Sequence, residues 1–298
     1  MAELTLKPSE LNELLDAVNA DDIFILNNGG ETKKIRATLL SQELVRLFAT
    51  GGGAGLHNSL FRGKNLGNSF TAEQQAQIKA GTFNDLWIGD YWVINGVVWR
   101  IAAFDYWFNT GDTACTTHHA LIVPDTCLYN MQMHVTSSGA YEGGTTANTT
   151  AGGYVGSDAY KTGLDAAKAT IKAAFGEAHI LVHREYLTNA VTNGYPSAGA
   201  WYDSIVELMN EAMVYGSFIH KPGTGLGTSD TTIVNSYTID KSQLPLFRLA
   251  PYLIGIRADF WLRDVVSSMY FARVRDYGFA DYANASLPNG ARPVFAIC

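Results

Sequence analysis

The segment YWVINGVVWRIAAF, residues 91–104, constrains this chain more than any other. Two arms of Val, Ile, Trp and Tyr flank Asn95-Gly96, a dipeptide that tolerates the positive φ angles of a two-residue turn, so the spacing predicts a β-hairpin. Helical patterns stand around it. Thr71 with Gln74 forms a capping box for a helix ending at Gly81. Leu164, Ala167, Ile171 and Phe175 fall on one helical stripe stopped at Gly176, and Trp201, Ile205, Leu208, Met209 and Ala212 suggest a second, stopped at Gly216. FWLRDV, YFARVR and RPVFAIC near residue 298 look like terminal strands. The expected class is α+β.

The first fifty residues read as a smaller unit. Leu11, Leu14, Leu15 and Val18 form one stripe behind Pro8 and Ser9, DIFILNNGGETKKIRA reads as a short hairpin, and Leu40, Leu44, Leu47 and Phe48 form a second stripe. A helix-hairpin-helix this short cannot bury both stripes alone. Residues 1–50 are therefore expected to be an attachment or oligomerisation segment, 51–55 a Gly-rich linker, and 56–298 the main domain. Two polar, Gly-rich stretches, 136–163 and 221–232, are expected to be loops, the first a functional one because of its length.

Composition limits the chemistry. The 298 residues carry 21 basic and 28 acidic side chains, a formal charge of −7, which makes a phosphate backbone an unsuitable partner. The N-terminal stretch MAELTLKPSELNELL has no signal-peptide pattern, and no apolar run is long enough to span a bilayer, so neither secretion nor membrane insertion is expected. Cys115, Cys127 and Cys298 are far apart and have no metal or disulfide spacing. His118 and His119 are adjacent and point apart in any regular element, and His134, His183 and His220 lie in separate segments, so no metal site is expected. GTGLGT at 223–228 has its third glycine misplaced for a phosphate loop. No nucleophile elbow and no concentration of paired carboxylates is present. The expectation is a protein with no catalytic residues, no metal and no cofactor.

The remaining surplus is 29 Gly with 6 Trp, 15 Tyr and 14 Phe, which suits aromatic contact surfaces. It is concentrated in YFARVRDYGFADYANAS, residues 270–286, where Tyr270, Arg273, Arg275, Asp276, Tyr277, Phe279, Asp281 and Tyr282 alternate with small residues. Large aromatic and Arg side chains offer contact area at modest entropic cost, and so many charges do not enter a core unpaired. These eight and Leu287 are the candidate ligand-binding residues, expected on one exposed face. Trp261, Leu262, Phe271, Val274, Val294 and Phe295 are expected in the core, with a turn or bulge at Asp276-Tyr277-Gly278.

With its flanks, this region resembles the variable region of proteins diversified by diversity-generating retroelements. The resemblance rests on Trp261-Leu262-Arg263, Phe271-Ala272, Gly278, Ala285-Ser286, Asn289-Gly290 and Arg292 to Phe295, and on LFRGKNLG, IGDYWVINGVVWRI and NGYPSAGAWYDSIVELMNEAMVYG upstream. None of the nine candidates is Lys, Glu, Gln, Met or Trp, the residues that adenine mutagenesis of an Asn codon cannot reach. The resemblance implies a C-type lectin-like fold over 56–298, with a variable region at about 261–298. It further implies a receptor-binding protein of a bacteriophage tail, homotrimeric, gripping a host cell-surface protein or glycan and docked to a tail or baseplate protein through residues 1–50. The implied location is the virion tail, after assembly in the host cytoplasm. The alternative on the same scaffold is an enzyme of the formylglycine-generating type, which depends on paired thiols. The calcium-lectin tripeptide Glu-Pro-Asn is absent.

Overall fold

The computed structural model describes residues 23–28, 31–39, 53–134, 148–220 and 242–298. The chain divides into two compact units, Met1–Gly52 and Gly53–Cys298. In the first, β1 (Ile23–Asn28) and β2 (Glu31–Arg36) pair antiparallel with Asn28 opposite Glu31. That is the expected hairpin. The stripes at 11–18 and 40–48 and the stretch 221–232 lie outside the described residues.

The second unit mixes helices and sheets. It opens with a one-turn helix, α1 (Gly53–His57), so the expected linker at 51–55 is overlapped by structure: Leu56 and His57 are buried and fasten the turn. The capping box is present as written, with Thr71 and Gln74 exchanging bonds at the start of α2 (Ala72–Lys79). The hairpin of β3 (Tyr91–Ile94) and β4 (Val97–Phe104) turns at Asn95 and Gly96, with φ of 53° and 81°. Trp92 lies directly opposite Trp99, and both are fully buried.

Two five-stranded sheets form the framework of this unit. One has the order β3-β4-β5-β14-β9, where β5 is Ala120–Pro124, β9 Val206–Leu208 and β14 Pro293–Ile297. The other runs β12-β11-β10-β13-β6, where β6 is Tyr129–Met131, β10 Phe260–Val265, β11 Tyr270–Val274, β12 Ala280–Asn284 and β13 Asn289–Ala291. All pairs are antiparallel except β10 with β13. The chain passes between sheets at Arg292, which is buried. Its guanidinium donates to the carbonyls of Pro124, Leu253 and Ile254 and lies over the rings of Phe247 and Phe260. Burial lowers its pKa to about 10, so the carbonyls solvate a charge that water no longer can.

The 165–175 stripe folds as expected. In α4 (Asp165–Phe175), Ala167, Ile171 and Phe175 face inward, and Gly176 ends the helix at φ 84°. Phe175 meets Trp92, Trp99 and Phe295 at ring distances of 5.8, 5.8 and 5.5 Å, tying helix to sheet.

Two expectations fail. Residues 153–163 are not a loop: α3 (Gly153–Gly156) and a π-helical turn, Ala159–Gly163, bury Tyr154 and Ala159. The helix expected over 201–212 is instead β8 (Tyr195–Ser204) followed by β9, and only α5 (Glu211–Tyr215) is helical, capped by Asn210 and Gly216. β8 pairs along its length with β7 (His183–Thr192) through a turn at Asn193-Gly194, φ 53° and 83°, and that pairing overrides the helical spacing of the apolar residues. One further helix, α6 (Pro245–Leu249), precedes β10.

Candidate functional site

The β11–β12 ribbon forms one edge of the second sheet, and its register pairs Tyr270 with Asn284, Ala272 with Tyr282, and Arg273 with Asp281. Directly paired residues share a face and neighbours along a strand alternate. Tyr270 and Tyr282 therefore lie on one face and Arg273 and Asp281 on the other. The expectation of a single exposed face is corrected: period-two geometry divides the nine candidates. Arg275, Asp276, Tyr277 and Phe279 occupy the connecting turn, and Leu287 the next one. All nine are exposed or half-buried. Tyr277 is 80% exposed, Phe279 53%, Tyr282 44% and Leu287 44%, whereas Trp261, Leu262, Phe271, Val274, Val294 and Phe295 are buried.

The turn at 275–279 is built to hold its shape. Gly278 N–H donates to the Arg275 carbonyl at 2.7 Å and Arg275 N–H to the Phe279 carbonyl at 3.0 Å, with Gly278 at φ 92°. A side chain at Gly278 would meet the Gly255 backbone at 2.9 Å. From outside the turn, Arg257 N–H donates to the Asp276 carbonyl and the Tyr215 hydroxyl to the Gly278 carbonyl.

An ion network lines the arginine face. Arg273 donates to Asp281 (Nη2 to Oδ2, 2.8 Å), to Asp259 (Nη1 to Oδ2, 2.8 Å) and to Asn289 Oδ1. Asp259 also accepts the Asp276 N–H at 2.9 Å and faces Arg275 Nε at 3.3 Å. Arg275 lies over the Phe279 ring at 5.7 Å. Partial burial pushes the Asp281 carboxyl up, but the Tyr282 backbone bond and the Arg273 bonds outweigh it and leave its pKa below the usual aspartate value. On the opposite face Tyr270 and Tyr282 sit 5.1 Å apart, and the His220 ring meets Tyr282 edge-on at 5.3 Å. His220 is held by the Glu211 carboxylate, which also accepts the Ile219 and His220 backbone N–H groups. A recess of about 350 Å³ is bordered by Asn130, Asp158, Thr162 and Pro288.

Asp259, Asn289, His220 and Glu211 were missed by sequence reasoning. Asp259 stands alone before a strand and His220 well upstream, and no spacing rule connects either to residue 273 or 282. The arrangement presents aromatic and charged groups on a fixed backbone and can bind without chemistry. Among the described residues no group of three or more His, Cys, Asp or Glu is placed to hold a metal ion. Burial raises all three thiols, Cys127 to about 11, the opposite of the shift that activates a nucleophile. Among the described residues no helix is long and apolar enough to cross a membrane.

No family model, curated protein or solved structure matches the chain.

Proposed function

We propose that residues 53–298 form a ligand-binding module whose contact surface is the β11–β12 ribbon and its two turns. One observation carries this reading. Tyr277, Phe279, Tyr282 and Leu287 are large apolar side chains left exposed within a span whose flanking strands are packed into the core. A cluster of exposed aromatics beside preorganised Arg and Asp has the composition of a recognition surface. The ion network supports it, because side chains already held in place lose less entropy on binding.

The finer reading rests on the sequence resemblance: a C-type lectin-like scaffold diversified by a retroelement, acting as a bacteriophage tail receptor-binding protein. The host ligand would be a surface protein or glycan, and residues 1–50 would supply trimerisation and tail docking. The enzyme alternative is disfavoured by thiols that burial keeps protonated. Fluorescently labelled protein incubated with a panel of bacterial isolates tests the function. Adhesion should be isolate-selective and lost in a Tyr277→Ala, Phe279→Ala, Tyr282→Ala triple variant of unchanged melting temperature. Absence of adhesion, or adhesion indifferent to the triple change, overturns it. A reverse transcriptase gene beside a near-copy of the segment encoding 261–298, differing at adenines, would test the origin.

A further inference from the structure

On strands beside the ribbon, the body of this unit buries two carboxylates and one guanidinium. Glu185 on β7, Glu207 on β9 and Arg263 on β10 are all buried. Arg263 Nη2 lies 2.9 Å from Glu185 Oε1, and its Nη1 faces the Leu208 carbonyl at 3.4 Å. Glu207 has different company. It accepts the Tyr154 hydroxyl at 2.8 Å, and its other oxygen lies 2.8 Å from Ser204 Oγ. The Tyr154 oxygen in turn accepts the Leu208 N–H at 3.2 Å. Among the described residues, the titratable groups facing the cluster include His183, whose Nε2 is 3.6 Å from Glu185 Oε2, and the phenols of Tyr160 and Tyr202. His183 itself is stacked on Trp107 at 3.6 Å.

Arg263 is ion-paired with Glu185 and lowers Glu207 only through its field, so the hydrogen bonds to an ionised, buried Glu207 would come from two hydroxyl donors. A proton resolves this: neutral Glu207 donates to Ser204 Oγ while still accepting from Tyr154. We propose that the Glu185–Arg263–Glu207 cluster is a proton-linked clamp, which fastens the base of the β7–β8 hairpin to β9 and β10 when Glu207 is protonated and loosens when it ionises. The hairpin's far end bears on the candidate site: a side chain at Gly194 would meet the Ser268 N–H at 3.0 Å, in the turn just before Tyr270. The clamp stands apart from the binding reading and holds whatever the ribbon recognises.

The direction of the pH effect follows from the environments. Burial, then repulsion from Glu185, raises Glu207 from 4.5 to about 7. A raised folded-state pKa gives stability that is complete below the unfolded value and lost as pH rises through the folded one, here from about 4.5 to above 7. Glu185 runs the other way: burial raises it, but Arg263 and His183 prevail and bring it to about 2, so its contribution is complete above the unfolded value of 4.5 and is lost as pH falls from there to about 2.

Urea unfolding of the full chain and of Glu207→Gln, at pH 5.5 and 8.0, tests the clamp, with hydrogen exchange of the β7–β8 amides corrected for intrinsic rate. The wild type should unfold more readily at pH 8.0, by about thirtyfold in its equilibrium constant, with hairpin protection falling in parallel. Glu207→Gln should lose most of that dependence. Should this variant fail to fold, infrared spectroscopy of the wild type decides: a protonated carboxylic acid band must be present at pH 6 and gone at pH 8.5. Equal pH dependence in both proteins, pH-independent hairpin protection, or no such band overturns the proposal.

Discussion

The β3–β4 hairpin and the β11–β12 ribbon are built from similar residues and put them to opposite use. Each is antiparallel, tightly turned and rich in aromatic side chains and Arg. In the hairpin, Trp92 and Trp99 face each other and pack on Phe175, while Arg100 is tied to Asp125 and lies over Tyr91 at 4.7 Å. In the ribbon, Phe271 goes inward, but the aromatics of the turn and of β12 stay in solvent. What differs is the partner layer. Phe175 of α4 covers the hairpin's Trp pair with an apolar ring, whereas α5 reaches the ribbon's tip through the polar bond from the Tyr215 hydroxyl to the Gly278 carbonyl, and the tip's charges are neutralised by one another. Aromatic content therefore does not decide burial; the availability of a second apolar layer does.

The comparison can be broken most forcefully at its buried members. Trp99→Ala and Phe271→Ala should each cost about 3–5 kcal/mol in urea unfolding, as core aromatics do. A loss below about 1 kcal/mol at Phe271 would place the ribbon's inner side outside the core. Gly278→Ala comes next. It forces a side chain into a left-handed position and against the Gly255 backbone, and a loss of about 1–3 kcal/mol is expected, together with faster hydrogen exchange at Arg275 and Gly278. Asp259→Ala should cost about 1 kcal/mol, because Arg273 keeps Asp281 while the Asp276 N–H loses its acceptor. Exchange at Asp276 should accelerate while Trp92 and Trp99 amides stay unchanged; a response in both regions would mean they are not separable. Tyr277→Ala should shift stability by no more than about 0.5 kcal/mol, yet reduce cell adhesion at least about tenfold where Tyr277 anchors the ligand.

Legibility in the sequence followed the locality of the cause. Asn95-Gly96, Thr71 with Gln74, and the stripe ending at Gly176 each act over a few residues and were read directly. Asn193-Gly194 carries the same turn signal as Asn95-Gly96, but the apolar spacing from Trp201 to Met209 also fits a helix, and only the long pairing with β7 decides between them. Residues 153–163 are polar yet ordered, because Tyr154 reaches a buried carboxylate 53 positions away. The candidate list was readable as residue types, but its division between two faces needed the register, and Asp259 needed the fold. The Glu185–Arg263–Glu207 cluster joins three strands and leaves no mark on any one segment.

The sheet order has a kinetic meaning. β14, residues 293–297, fills the place between β5 and β9, two strands that otherwise have no contact through the ladder. The first sheet cannot close on a ribosome until that segment has left the exit tunnel, so β3, β4 and β5 must wait with one edge open while the chain between β5 and β14 is made. The exposed ribbon is made just before that closing strand and joined to it through β13 and Arg292. Any change in the ribbon is thus carried into the closing of that sheet, and a variant that prevents residues 289–297 from docking leaves an open-edged chain, exposed to aggregation and proteolysis before it meets a ligand.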